Sequence, residues 1–166
     1  MTKYKRYKKP FWITLFSRQN KHHNHGVLGH TLKVVYHVIK KGHYRMILAA
    51  LLHDIAKPLV AYQKPYDVLN NEYSFTNHEE AGYHLIKNWY INDYTKNIIR
   101  YHYHIRGMGK AKKNNPKKYR RYKREWDNLP LSLKKDLGLF LVCDDLGKKK
   151  GFSEATKNTK NTKRNT

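Results

Sequence analysis

Residues 51–58 read Leu51-Leu52-His53-Asp54-Ile55-Ala56-Lys57-Pro58. A histidine and an aspartate stand side by side at the end of an apolar run, and burying both is costly unless each finds a partner. A divalent cation partners both at once, because neutral imidazole and carboxylate form a mixed nitrogen and oxygen ligand set. The dipeptide gains weight only if further His and Asp residues fall on neighbouring apolar faces.

Around the dipeptide, residues 45–57 read as a helix with Ile47, Leu48, Leu51, Leu52 and Ile55 apolar. Ile47, Leu51 and Asp54 stand at i, i+4 and i+7, which turns Asp54 inward, and Pro58 stops the helix. Upstream, Val27, Thr31, Val34, Val35 and Val38 recur at helical spacing with His30 on the same stripe, and Gly42 closes that helix as its C′ residue. Downstream, residues 59–74 read as loop. Thr76 and Glu79 make a capping box that puts His78 in the first turn of a helix. His78, Gly82, Leu85 and Trp89 follow one face of it, with His84 off that face and on the surface. A further helix, N-capped by Asp93, carries Ile98, His102 and Ile105 on one stripe before Arg106-Gly107-Met108-Gly109 breaks it. The last helix begins near residues 130–132 and aligns Leu133, Leu137, Phe140, Leu141 and Asp144. Asp145 is rotated about 100° away, so Asp144 is the inward aspartate of the pair.

A chain of 166 residues accommodates one domain with a proper core. Residues 1–19 read as a basic arm, 1–10, followed by an apolar docking segment that includes Phe11, Trp12, Ile13, Leu15 and Phe16. Residues 20–150 form the domain proper, and the Lys-Asn-Thr repeats of 151–166 read as a disordered basic tail. His22, His23 and His25 read as a polar loop or a metal-binding tract. The net charge of +23 fits a polyanionic partner, or reflects A/T-rich coding through Lys, Asn, Tyr and Ile. The single cysteine, Cys143, excludes an intramolecular disulfide framework and a Cys-cluster zinc site, and fits a reducing cytoplasm. No apolar run reaches the roughly 20 residues of a membrane span.

Each helix thus turns one His or Asp to the core: His30, Asp54 beside His53, His78, His102 and Asp144. One such histidine is ordinarily a hydrogen-bonded core residue. Five elements doing the same point to a shared metal site, since buried polar groups need several partners.

In this order and on an all-helical chain, these residues resemble the HD superfamily of metal-dependent phosphohydrolases. The local forms Gly29-His30-Thr31, Leu51-Leu52-His53-Asp54-Ile55-Ala56-Lys57 and Cys143-Asp144-Asp145-Leu146-Gly147 carry the resemblance, which covers about residues 20–150. It implies an all-α fold, a compact single-domain bundle of five or more helices. It also implies two divalent ions (Mn, Fe, Ni, Co or Mg) held by His30, His53, Asp54, His78, His102 and Asp144, with Asp54 as a bridge. The implied reaction is hydrolysis of phosphoester or phosphoanhydride bonds of free, cyclic or dinucleotide substrates through a metal-activated water.

Asp54 and Lys57 are the expected catalytic residues, with Lys57, Arg106, His104 and Tyr119 contacting substrate. The basic segment from Lys110 to Arg124 (KAKKNNPKKYRRYKR) is an insertion, read as a loop, without counterpart in minimal members. With Tyr119 and Tyr122 interleaved, it and the N-terminal arm have the ingredients of a nucleic-acid surface. A nuclease or end-processing enzyme is therefore the first alternative to a nucleotide phosphohydrolase. A non-catalytic nucleotide- or nucleic-acid-binding module on the same fold is the second.

Overall fold

The computed structural model describes residues 26–148 together with Phe16 and Gln19. The basic arm, the rest of the apolar docking segment, His22, His23, His25 and the tail at 151–166 lie outside the described residues. The described chain is all-α. Its helices are α1 (Val27–Lys40), a 3-10 turn (Tyr44–Met46), α2 (Ile47–Leu52), α3 (Lys57–Val60) and α4 (Pro65–Leu69). Then follow α5 (His78–Ile86), α6 (Asp93–Tyr101), α7 (His104–Asn114), α8 (Pro116–Asp127) and α9 (Leu131–Leu146).

One core joins them. Val34 and Val38 of α1, Met46, Ala49 and Ala50, Ile86 of α5, and Ile98 and Ile99 of α6 meet Leu133, Leu137, Phe140 and Cys143 of α9. Each large side chain buried there contributes about 1.5–3 kcal/mol of transfer free energy. The charged pair Arg45 and Asp136 ties the 3-10 turn to the start of α9 on the surface of this core. Gly42 follows α1 with φ +74°, the left-handed geometry expected of a C′ glycine.

Several local readings are corrected by the structure. Residues 45–57 do not form one helix: α2 ends at Leu52, His53–Ala56 are a turn, and Pro58 lies in the first turn of α3 rather than after a helix. Proline suits that place because its missing N–H is among those a helix start leaves unbonded. Leu51 is 50% exposed, so Asp54 is not buried through a stripe shared with Leu51; the buried residues of α2 are Ala49 and Ala50. The expected capping box at Thr76 is absent, because its hydroxyl bonds the Tyr62 hydroxyl at 2.6 Å and Asn77, at φ +59°, precedes α5 instead. On α5 the buried face runs His78, Gly82 and Ile86, whereas Leu85 and Trp89 are exposed. Asn92, not Asp93, caps α6, accepting from the Thr95 amide at 2.8 Å.

The largest difference concerns residues 106–124. Arg106 to Gly109 lie inside α7, and the basic segment is no loop: it is the end of α7 and most of α8, joined at Asn115. Asn115 accepts from the Lys118 amide at 3.0 Å, and Pro116 opens α8 at a position where no N–H is needed. The loop expected at 59–74 likewise contains α4, and is pinned by Tyr62 and Ser74, whose backbones exchange hydrogen bonds of 3.1 and 2.9 Å.

Candidate metal centre

Three of the four histidines sit at helix termini, and His30 lies within α1. His53 follows the last residue of α2 and His102 the last residue of α6, where terminal carbonyls lack intrahelical donors. Each imidazole supplies one. His53 Nδ1 bonds the Ala50 carbonyl at 2.8 Å and His102 Nδ1 the Ile99 carbonyl at 2.7 Å. His78, first residue of α5, makes the same bond back to the Phe75 carbonyl at 2.8 Å. With Nδ1–H donating to a carbonyl, the neutral ring carries its lone pair on Nε2.

Those Nε2 atoms converge. His53 and His30 approach to 3.4 Å, and His78 and His102 to 3.1 Å. The ligand-type atoms form two triads, His30 with His53 and Asp144, and Asp54 with His78 and His102, all buried and within 4.8 Å of one another in each triad. Asp54 faces both: one carboxylate oxygen lies 3.1 Å from His53 and 3.6 Å from His30, the other 3.3 Å from His78. Asp144 completes the first triad at 2.9 Å from His30.

This donor set fits divalent ions. The paired lone pairs of His78 and His102 at 3.1 Å repel unless a cation lies between them, and neither oxygen of Asp54 receives a well-directed hydrogen bond despite its burial. Imidazole and carboxylate are the ligand types that metals of intermediate softness take. The carbonyl partners of Nδ1 fix tautomer and ring orientation, as ligating histidines require.

Protein cations partly balance the carboxylates. Lys57 Nζ is buried 2.7 Å from Asp54 and 2.5 Å from the Gln19 side-chain oxygen. Arg106 reaches from α7 to Asp144 at 2.5 Å and also pairs with Asp145, while Lys148 lies 3.1 Å from Asp144. Burial acts to raise the Asp54 carboxyl, but the charges of His53 and Lys57 outweigh it and hold it well below the usual range. Asp144 is held down in the same way against its burial by Lys148, His30 and Arg106. Burial lowers His30, and pushes His102 well down with help from His78 and His53. His53 moves the other way: burial opposes its charge, yet the adjacent Asp54 raises it.

Beside the triads opens a cavity of about 450 Å³ lined by Asp54, His78, His102 and Asp144 at its floor. Of the four residues expected to contact substrate, Lys57 and Arg106 line it. His104 does not. It is buried between α7 and α8, donating to the Tyr122 carbonyl at 2.7 Å and stacked on Trp126. Tyr119 is not among the lining residues; Tyr122, three residues on, is. The sequence reading missed Gln19, Tyr62, Phe75, Tyr103 and Lys148 on the cavity wall. Lys148 had a usable signal, four residues past Asp144 on one helical face.

The family pattern described as HD domain matches residues 27–134 of the chain. No curated protein and no solved structure matches it.

Proposed function

This chain belongs to the HD-domain family, and on that premise we propose that it is a metal-dependent phosphohydrolase acting on phosphoester or phosphoanhydride bonds of nucleotides. The observation that carries the reading is the convergence of four histidines and two aspartates in two buried triads, four of whose members, Asp54, His78, His102 and Asp144, line an open cationic cavity. Divalent ions held there would supply an activated water and neutralise charge developing in an in-line displacement at phosphorus.

The chain's own residues supply the rest. His30, His53 and Asp144 would hold one ion and His78 and His102 the other, with Asp54 within reach of both. Lys57, fixed by Gln19 and Asp54, places a positive charge on the cavity floor without rotamer freedom to lose on binding. Arg106 orients Asp144 and presents its remaining donors to a phosphoryl oxygen. The ring of Tyr103, 6.0 Å from that of His78, and Phe75, 5.5 Å from Lys57 Nζ, flank the floor and offer faces for a base.

The test is turnover of nucleotides, cyclic dinucleotides and single-stranded oligomers with Mn²⁺, alongside Asp54→Ala. Hydrolysis of at least one class, lost in the variant, is expected. Wild type and variant equally inert on every class, with one still bound, would favour the non-catalytic module instead.

A further inference from the structure

The cavity's cations are of two kinds. Lys57, Arg106 and Lys148 pair with Asp54, Asp144 and Asp145. Lys64, Lys110 and Lys118 line the same cavity, and among the described residues no carboxylate lies within ion-pair distance of them. Two of these are held by tyrosines instead. Lys110 Nζ donates to the Tyr103 hydroxyl at 2.7 Å and lies 5.4 Å from that ring's centre, and Lys118 lies 5.4 Å from the centre of Tyr122. A tyrosine positions a cation and leaves its charge available, whereas a carboxylate cancels it.

These groups form a row. Arg106, Lys110 and Asn114 recur every four residues on the cavity side of α7, and each step advances about 6 Å along the axis. Arg106 touches Asp144, so the row starts at the triads. It ends at Asn114 and Asn115, where Lys118 stands in the first turn of α8. Gly107 allows α8 this close: a Cβ there would lie 3.0 Å from the Tyr122 ring. Lys117, Arg120 and Arg124 add positive charge on the exposed side of α8.

Resting on the phosphohydrolase reading, we propose that this row is a phosphate track, and that the substrate is a single-stranded oligonucleotide. Its scissile phosphate lies at the triads, and its next phosphates lie on Lys110 and then Lys118. A mononucleotide would leave the outer part of the row unused. The row runs along one wall of a cavity of about 450 Å³. The half-buried rings of Phe75 and Tyr103 on its wall accept unstacked bases without reading their sequence.

The test is fluorescence anisotropy in EDTA with labelled oligothymidylates, from a dinucleotide to a dodecamer. Affinity should rise about tenfold or more with length, and fall with salt. In Lys110→Gln/Lys118→Gln the slope of log affinity against log salt should shrink by about 1.4, since each lost contact to a single strand removes about 0.7. Lys87→Gln/Lys135→Gln removes the same charge from exposed positions outside the cavity and should keep the slope. Equal slopes in both double variants, affinity independent of length, or displacement by ATP as effective as by unlabelled dodecamer would each overturn the track. Mn²⁺-dependent turnover of bis(p-nitrophenyl) phosphate is measured in parallel and separates the two claims. No turnover beside row-dependent binding overturns the hydrolase reading, and turnover beside length-independent binding overturns the track alone.

Discussion

His78 and His102 bring their Nε2 atoms to 3.1 Å while each commits its Nδ1 to a backbone carbonyl. Two lone pairs face each other in a buried space, an arrangement that a shared cation relieves. His102→Gln removes one of the two donors and keeps the cavity filled. The bound metal should fall from two equivalents to one, read by elemental analysis after dialysis, with helix content by circular dichroism unchanged.

Lys57 and Asp54 form a buried pair, and removing one member of such a pair leaves an uncompensated charge that costs about 3–5 kcal/mol. Lys57→Met should therefore lower the melting temperature of metal-stripped protein markedly. Mn²⁺ should recover most of the difference, because the ion neutralises Asp54 in place of the ammonium. A melting difference that is the same with and without Mn²⁺ would show that Asp54 takes no part in metal binding.

Gly147 closes α9 against His30. A Cβ there would lie 2.7 Å from Val34 Cγ2 and 3.2 Å from His30 Nδ1. Its φ of −69° is ordinary, so the constraint is steric and not conformational. Gly147→Ala should cost about 1–3 kcal/mol by overpacking and weaken metal binding through His30. Denaturant unfolding and Mn²⁺ titration would measure the two effects. Gly109→Ala, where a Cβ meets nothing, should be silent in both.

The acid limb of stability follows from the buried groups. In metal-stripped protein the folded pKa of His30 and His102 lies below the ordinary histidine value, so the unfolded chain binds protons first and stability falls as pH drops through about 6.5. His53, raised in the fold, opposes that loss over the same range. Asp54 and Asp144, depressed in the fold, contribute stability that is present above about pH 4 and is lost below it. Acid titration monitored by circular dichroism should show the second loss reduced in Asp144→Asn.

Much of this arrangement was legible in helical spacing. The inward turn of His30, the choice of Asp144 over Asp145 and the glycine after α1 follow from periodicity and cap chemistry, whereas His78 and His102 are buried without the capping box and the continuous stripe expected for them. The helix breaks at His53 and His102 were not legible, because the apolar pattern continues through residues whose imidazoles cap the preceding turn. A Lys-rich segment with a central Asn-Asn-Pro reads as loop when composition is weighed alone. Asn115 and Pro116 are in fact a helix start, and its amphipathic face becomes visible only when α7 is there to pack on. His104 shows the same limit: a histidine beside the site by sequence is a core residue once Tyr122 and Trp126 close over it. Which lysines face the cavity depends on how α7 and α8 pack, and spacing alone does not supply that.

The central claim is that Asp54 joins two metal triads. Electron paramagnetic resonance of metal-stripped protein titrated with Mn²⁺ tests it most directly. Wild type should take up two equivalents with the broadened signal of a coupled pair, and Asp54→Ala should lose the coupling and at least one equivalent. No saturable uptake by wild type, or uptake identical in the variant, would contradict the account.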